Sequence, residues 1–229
     1  MSCSEEKTTE VLIKKNGLQY AVNEEEPFTG KFITYWSGNK LQKENTAFIA
    51  GLRNGHSVHW YENGQKKAEI SYNSNSINGL TFAWFKNGNK KIEAAYKNDK
   101  PDGLMTLWYE NGQKKSEMSY IDGEKNGISP SWYETGEKEG VISFKNNVAN
   151  GASIKWYKNG QKQFENNYIN SKVEGISTHW HENGQKKAEA NHIGGKKNGL
   201  AYMWDKYGEL ESEVSFNNDK LNLVLFKRN

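Results

Sequence analysis

Apolar and polar residues alternate along most of this chain in short runs, and the runs return at a constant interval. Each repeat contains two such runs. The first ends on a tryptophan, as in Leu80-Thr-Phe-Ala-Trp84, and the second, Lys-x-Glu-x-x-Tyr, begins seven residues after that tryptophan. Six mostly polar residues and a glycine then lead to the next copy. The lengths, the β-branched and aromatic content and the bounding Asn and Gly are typical of strands. The eight tryptophans, which we expect to form the repeat core, are spaced by 24 residues: Trp36, Trp60, Trp84, Trp108, Trp132, Trp156, Trp180 and Trp204.

A fixed period of this length indicates stacked repeats, each too small to bury its apolar side alone. We therefore predict an all-β fold, a single elongated, twisted antiparallel sheet of successive β-hairpins forming a 24-residue repeat solenoid. Residues 1–10 are charged and are predicted to be a disordered N-terminal tether. Residues 11–229 are predicted to form one array of about eight or nine hairpins, with capping copies at 11–59 and 204–229. In the last copy, Leu221 to Phe226 should form a closing strand.

The segment after each tryptophan predicts a tight turn whose length fixes the strand register. A two-residue Asn63-Gly64 loop would place Trp60 opposite Lys67, among charged side chains. A three-residue loop, Glu62-Asn63-Gly64 with the glycine in the left-handed region, places Trp60 opposite Lys66 instead. We therefore predict the three-residue loop.

This register also predicts the composition of the two faces, because side chains alternate along a strand. Val58 should oppose Ala68, so that one face carries the tryptophan, the aliphatic positions and the terminal tyrosine. The other face should carry the ring after the tryptophan together with Lys67, Glu69 and Ser71. In this arrangement the glutamate largely neutralises the second lysine of each Lys-Lys pair.

The repeated block resembles the MORN repeat variant family. The sequence Trp-Tyr-Glu-Asn-Gly-Gln-Lys-Lys occurs at residues 60 and 108 and, with His181 for the tyrosine, at 180. The resemblance covers about residues 35 to 226 and implies an all-β ribbon of hairpins that acts as an interaction or membrane-associated module. Some bacterial members are described as antitoxins of toxin–antitoxin systems. The copy at Trp132 departs from the pattern, with Glu139 in a lysine slot and Val141 in the glutamate slot.

Composition and motifs argue against catalysis and nucleic-acid binding. The formal net charge is +3 with lysine and glutamate interspersed, whereas a nucleic-acid interface needs one-sided basic clustering. The sequence shows no nucleophile with an adjacent base and no Gly-rich phosphate loop, and its glutamates recur as a repeat feature. We therefore predict no enzyme activity, no cofactor and no nucleic-acid partner.

The rings that follow the tryptophans and the second lysines are the candidate recognition residues, because they share the more polar face. The alternative is that the rings pack against lysine stems and that the lysines form a solvated ladder with the glutamates. The candidates are Tyr61, Phe85, Tyr109, Tyr133, Tyr157, His181, Lys67, Lys91 and Lys115.

Histidines raise the question of a metal site. His179 and His181 share a predicted face, but the register places Lys187 and Gln185 opposite them and His192 on the other face. A zinc site needs three or four converging ligands. We therefore predict no metal site.

Pro130 lies inside a predicted strand, where it removes a hydrogen-bond donor and should require a bulge or a bend. It is adjacent to the aberrant copy at Trp132. Our hypothesis is that residues 128 to 142 bend the array and form a distinct surface.

The sequence thus predicts a non-enzymatic scaffold for protein–protein interaction. Cys3, in Met-Ser-Cys-Ser-Glu-Glu-Lys, resembles the lipidated start of a mature bacterial lipoprotein, which favours the cell envelope or surface; a stray cysteine on a cytoplasmic terminus is the alternative. Two other functions stay open: a membrane-surface module binding anionic lipid or a glycan, and an antitoxin-like inhibitor of a partner toxin. Homodimerisation through the sheet face or an edge is a further expectation.

Overall fold

The computed structural model describes residues 7–38 and 40–228 and builds them from strands and short turns. These residues contain 22 strands and no helix, so the predicted all-β class is confirmed. No helix in the described ranges is able to span a membrane. The chain divides into two compact units, the first reaching Gly112 and including Tyr120–Gly123, the second comprising Gln113–Ser119 and the residues from Glu124 onward.

The first unit begins with short strands and continues with hairpins of eight- and nine-residue strands. Its strands are β1 Thr8–Thr9, β2 Leu12–Lys15, β3 Leu18–Ala21, β4 Gly30–Tyr35, β5 Gln42–Ile49, β6 Leu52–Trp60, β7 Lys66–Asn73, β8 Ser76–Trp84, β9 Lys90–Lys97 and β10 Lys100–Trp108.

The second unit repeats the same hairpins, and strand β11 contributes its residues 114–119 to it. The remaining strands are β11 Lys114–Ile121, β12 Glu124–Lys125, β13 Gly127–Trp132, β14 Lys138–Lys145, β15 Val148–Trp156, β16 Lys162–Ile169, β17 Lys172–Val173, β18 Gly175–Trp180, β19 Lys186–Ile193, β20 Lys196–Trp204, β21 Leu210–Asn217 and β22 Lys220–Lys227.

The hairpin of β6 and β7 confirms the three-residue loop. Trp60 is paired with Lys66, the Tyr61 N–H donates to the Gln65 carbonyl at 2.8 Å, and the Gly64 N–H donates to the Tyr61 carbonyl at 3.0 Å. Gly64 has a φ of 84°, in the left-handed region that glycine enters without a steric penalty. The glycine therefore serves the turn, as its position predicted.

One residue beyond this loop, the predicted register is wrong. His59 pairs with Ala68 and Val58 pairs with Glu69, so Lys67 is an extra residue in β7 and forms a β-bulge. Val58 therefore opposes Glu69, not Ala68. The same shift lies next to the tryptophan in β8–β9, β13–β14, β15–β16, β18–β19 and β20–β21.

The bulge also reverses the predicted faces after the turn. Phe82 stacks on Trp84 with ring centroids 5.8 Å apart and is paired with Glu69. Glu69 therefore lies on the same side as the tryptophan, and Ala68 and Ile70, its neighbours in β7, lie on the other side with the terminal tyrosine. A one-residue slip moves every following side chain to the opposite face.

We call the two sides the tryptophan face and the groove face. The tryptophan face carries the tryptophans, the residues two before them, the first lysines (Lys66 and equivalents) and the glutamates (Glu69 and equivalents). The groove face carries the rings after the tryptophans, the second lysines, and the residues equivalent to Ser57, His59, Ala68, Ile70 and Tyr72.

Two-residue turns join successive hairpins. Ser74 and Asn75 have φ values of 49° and 71°, as in the type I′ turns favoured between twisted antiparallel strands. Gly79, in the glycine slot, lies inside β8 with a φ of 109°, where the β7–β8 register shifts between Ile70 and Tyr72. This glycine therefore forms a second bulge.

All eight tryptophans, which were expected to form the repeat core, are half-buried. Within the repeats, the side chains most shielded from water are small residues. Ala94 is 0% exposed and Ser57 is 2% exposed, and both lie on the groove face. At the start of the chain, Phe28 and Phe48 form an apolar cluster with Ala21, Leu12 and Phe32.

Both ends of the array differ in part from the expectations. Thr8 and Thr9, within the segment predicted to be disordered, form β1 and pair in parallel with β4. Residues 1–6, including Cys3, lie outside the described residues. At the other end, β22 (Lys220–Lys227) contains the predicted closing strand, and its residues are all exposed.

Pro130 does not cause the bulge that was predicted. It lies in β13 and pairs with Val141, and the register shift of β13–β14 is the one beside the tryptophan that other copies share. Toward β11, the described pairing is limited to Ser116 and Ser131. The proline, which has no backbone N–H to donate, therefore lies where the described pairing between β11 and β13 is short. The bend of the array stays a prediction.

Candidate functional site

Charged residues on the tryptophan face are engaged in a structural ladder. The Lys66 Nζ donates to a Glu69 carboxylate oxygen at 2.8 Å and lies 5.6 Å from the ring centroid of Trp84 in the next repeat. The prediction that glutamates neutralise the second lysines is therefore wrong, because they pair with the first. The same arrangement recurs in Lys90, Glu93 and Trp108, in Lys162, Glu165 and Trp180, and in Lys186, Glu189 and Trp204.

The rings after the tryptophans, which were candidate recognition residues, also join neighbouring repeats. The Tyr61 hydroxyl donates to the Trp84 carbonyl at 2.9 Å. Equivalent contacts join Tyr133 to Trp156, Tyr157 to Trp180 and His181 to Trp204. The polar tips of these rings are thus occupied within the fold.

The second lysines lie over the same rings. The Lys67 Nζ is 5.8 Å from the Tyr61 ring centroid, and the Lys91 Nζ is 5.5 Å from that of Phe85. Tyr109 and Lys115 occupy the equivalent positions of the next copy. The pairs of Lys67 with Tyr61 and of Lys91 with Phe85 agree with the packing alternative, and they form a lysine-and-ring surface on the groove face of the first unit.

Asparagines in the turns form a third connection between copies. The Asn63 side-chain amide donates to the Lys86 carbonyl at 2.8 Å, while its Oδ1 accepts a bond from the Gln65 N–H at 3.1 Å. Asn87, Asn159 and Asn183 donate to the next turn in the same way. The turns are therefore linked side by side along each unit.

The groove face of the second unit contains an open groove of about 310 Å³, which we call the proline groove. Gly140 lies at the position of Ser116 and Phe164 in the flanking copies, so a side chain is missing where those copies have one. The side chains of Met118, Ile142 and Phe164 line the groove, and Pro130, whose ring belongs to the tryptophan face, contributes backbone to it. This groove gives residues 128 to 142 a surface feature of their own.

The rim of the proline groove is polar. The Lys155 Nζ lies 3.6 Å from a Glu139 carboxylate oxygen, and the hydroxyl-bearing residues Ser129, Ser131 and Ser153 line the sides. Glu139 replaces lysine in this copy, so the departure seen in the sequence creates an acidic group at this position. The groove therefore combines an apolar floor with one ion pair.

A second groove of about 310 Å³, which we call the histidine groove, lies further along the same face. Its lining includes His179, His192, Lys187, Lys197 and Ser177. The prediction that His192 lies on the opposite face from His179 is wrong, because the bulge at Lys187 shifts the following residues by one position.

The histidine groove is rich in positive charge. Burial lowers the pKa of His179, and nearby Lys187, His192 and Lys197 lower it further. The Nδ1 atom of His192 is buried without a hydrogen-bond partner. In the described ranges no three His, Cys, Asp or Glu side chains are grouped so as to hold a metal ion.

The carboxylate of Glu189 does not offset this charge from within the groove. It accepts a bond from the Lys186 Nζ at 2.6 Å and from the Thr178 hydroxyl at 3.4 Å, and both partners belong to the tryptophan face. The backbone of Glu189 therefore lines the histidine groove, while its carboxylate lies on the tryptophan face.

The first unit contains a serine beside a base that the sequence analysis missed. Ser57 Oγ lies 3.0 Å from His59 Nε2 and 2.6 Å from the Thr46 hydroxyl, which donates to Glu44 at 2.8 Å. The signal was the two-residue spacing, which places both on one face of a strand. Because Ser57 is only 2% exposed, the group is a buried polar network.

Comparison with known proteins agrees with this architecture. The family model of the MORN repeat variant matches residues 53–74, 101–122, 149–170 and 173–193, and each match spans the hairpin around one Trp-Tyr-type turn. A search of curated proteins found no match. The chain therefore carries tandem repeats of the MORN repeat variant family, as its repeated block predicted.

Proposed function

We propose that this chain is a non-enzymatic β-repeat scaffold that binds a partner protein through the groove face of its second unit. The observation that supports this proposal is the contrast between the faces. On the tryptophan face, lysines and glutamates are paired with each other and with the rings. On the groove face, two grooves of about 310 Å³ each stay open.

The proline groove suits side chains of a protein. An apolar floor with a polar rim is the usual composition of a recognition pocket, and Met118 offers an adaptable surface against a partner. The volume is near the lower end of small-molecule pockets, so it suits one or two anchoring side chains.

Site-specific crosslinking tests this proposal. A photoreactive amino acid replaces Ser131 in the groove or, as a control, Lys145 at the exposed end of β14, and the full chain is irradiated in the cells that produce it. We expect one protein to crosslink at position 131 and not at 145. That protein, once purified, is measured by calorimetry against the parent chain.

Substitutions at the rim of the proline groove then test whether the partner binds there. Lys155→Glu should weaken the purified complex about tenfold or more, while Lys145→Glu makes the same charge change outside the groove and should leave the affinity unchanged. Equal effects of the two variants, or crosslinking at 145 alone, would place the partner elsewhere and overturn the proposal.

Binding to an anionic membrane is the second candidate, and the lysine-on-ring pairs of Lys67 with Tyr61 and Lys91 with Phe85 favour it. Vesicles containing phosphatidylserine should then bind the parent chain in low salt, and Lys67→Gln with Lys91→Gln should abolish that binding. Binding that is unchanged in the double variant would exclude this surface.

The other expectations stay predictions. Lipidation rests on Cys3, which is outside the described residues. The antitoxin-like role, glycan binding and homodimerisation each depend on a partner molecule. Strand β22, whose residues are exposed, is one strand that could form an edge contact.

A further inference from the structure

We propose that the histidine groove is a binding site for the carboxylate side chains of an acidic polypeptide segment. This inference rests on the proposed scaffold function and specifies the chemistry of the partner at a second position. It is argued from His179, His192, Lys187 and Lys197, which line one groove.

The two lysines supply permanent positive charge. Lys187 is the bulged residue of β19, so it joins Ala188 on the groove face instead of alternating away from it. Lys197 lies at the start of β20, with its Nζ 5.2 Å from the Phe216 ring centroid. Within the described part of the chain neither ammonium forms an ion pair, and both side chains are exposed.

The two histidines supply hydrogen-bond donors. His192 has a buried Nδ1 without a partner, and His179 Nε2 lies 3.4 Å from the Ser177 hydroxyl, a long contact. A carboxylate oxygen accepts from an imidazole N–H and from lysine at once, and charge-assisted bonds of this kind are the stronger ones.

This combination distinguishes one repeat from the others. The copy at Trp60 has His59 and Lys67 in equivalent positions, but Tyr72 and Ile77 replace the second histidine and the second lysine. The copy at Trp132 has Glu139 where the histidine groove has Lys187. Only the copy at Trp180 therefore presents four nitrogen-bearing groups to one groove, among the residues that the structure describes.

Among the described residues, Glu189 is the one acidic residue in the groove lining, and the nearby Glu174 carboxylate accepts a bond from the Gly194 N–H at 2.7 Å. From β16, the groove-face residues Phe164 and Asn166 are neutral. From β21, Glu211 lies in a separate cavity with Lys227 and Arg228.

Burial and the nearby lysines lower the pKa of His179 from its ordinary value of 6.5, and a bound carboxylate favours the protonated imidazole. Affinity for a carboxylate should therefore increase as the pH is lowered toward and below that ordinary value.

Fluorescence anisotropy of the full chain tests the inference. The probe is a labelled tetraglutamate peptide with blocked ends, and the control is the tetraglutamine peptide. We expect the tetraglutamate peptide to bind more tightly at pH 6 than at pH 8, and the tetraglutamine peptide to bind at neither pH.

Matched variants assign the site. Lys187→Gln with Lys197→Gln should weaken peptide binding about tenfold, and Lys145→Gln with Lys206→Gln, which removes the same charge elsewhere, should not. His179→Asn should reduce the difference between pH 6 and pH 8. Equal binding of both peptides, or equal loss in the two lysine pairs, would overturn the inference.

The result is separable from the proposed scaffold function. If the crosslinked partner still binds at the proline groove while the tetraglutamate peptide fails, the carboxylate site is wrong and the scaffold stands. If neither binds, both proposals fail.

Discussion

Lys66 of one repeat lies over the indole of Trp84 in the next, with its Nζ 5.6 Å from the ring centroid. The same ammonium is held at 2.8 Å by Glu69. One lysine thus connects two copies, since its ion pair belongs to its own hairpin and its ring contact to the following one. The period of the tryptophans is therefore also the period of these contacts.

Removing this lysine should weaken the array. Lys66→Gln is expected to lower the free energy of unfolding by about 1 kcal/mol, because an exposed ion pair and a cation–π contact each contribute up to about that amount. Lys86→Gln, in the exposed turn after Trp84, is the control. Urea unfolding followed by tryptophan fluorescence measures both, and equal midpoints would contradict the assignment.

The hydroxyls that join neighbouring repeats allow a reciprocal test. Tyr61→Phe removes the bond to the Trp84 carbonyl and should cost about 1 kcal/mol. Phe85 stands at the same position one repeat later, so Phe85→Tyr should gain a comparable bond to the Trp108 carbonyl. Thermal unfolding should shift the two variants in opposite directions. A shift in the same direction would show that the hydroxyl bond does not determine stability.

Two glycines in the same slot should differ in their tolerance of a side chain. Gly151 and Gly199 both have left-handed φ values, 106° and 94°. A Cβ at Gly151 would meet the Ser143 Cβ at 3.1 Å, whereas a Cβ at Gly199 has open space. Gly151→Ala should therefore cost about 1 kcal/mol more than Gly199→Ala, measured by urea unfolding. Equal losses would mean that backbone strain alone sets the cost.

Stability should decrease in mild acid. Burial is the main cause that lowers the pKa of His59 and of His179 in the folded state, from an ordinary value of 6.5. The unfolded chain therefore takes up these protons first. The stability that the neutral histidines contribute is complete above their unfolded pKa and is lost as the pH falls through the lowered folded pKa.

Removing both histidines tests this pH dependence. The double variant His59→Gln, His179→Gln should show a flatter decrease of the unfolding free energy between about pH 7 and 5 than the parent chain. Urea titrations at several pH values measure the slope. Parallel slopes in the two proteins would contradict the assignment.

The sequence predicted the hairpins and the three-residue loop because tryptophan spacing and Asn-Gly turns depend on local chemistry. It did not predict the bulge at Lys67, because one extra lysine beside Lys66 does not visibly interrupt the alternation of apolar and polar residues. One signal was available: Lys66 and Glu69 are three residues apart, and without a bulge they would lie on opposite faces of a strand.

The grooves were missed for the same reason. Because the predicted register was wrong by one residue after the bulge, His192 was predicted to lie on the opposite face from His179, although both line the histidine groove. The sequence also did not indicate that Ser57, which is small and polar, would be only 2% exposed. The departures at Pro130 and Glu139 were visible in the sequence. The proline groove, however, depends on Gly140, which lacks a side chain where the adjacent strands carry Ser116 and Phe164.

The bonds between copies have a consequence for how such a chain changes in length. The Tyr61 hydroxyl and the Asn63 amide each reach a carbonyl 23 positions downstream, and the same offset holds in the later copies. If one 24-residue repeat were duplicated or deleted, each of these donors at the new junction between repeats would therefore still meet an equivalent carbonyl. Gain and loss of whole repeats is thus compatible with this fold, whereas an insertion that is not a whole number of 24-residue repeats would displace these donors from their acceptors.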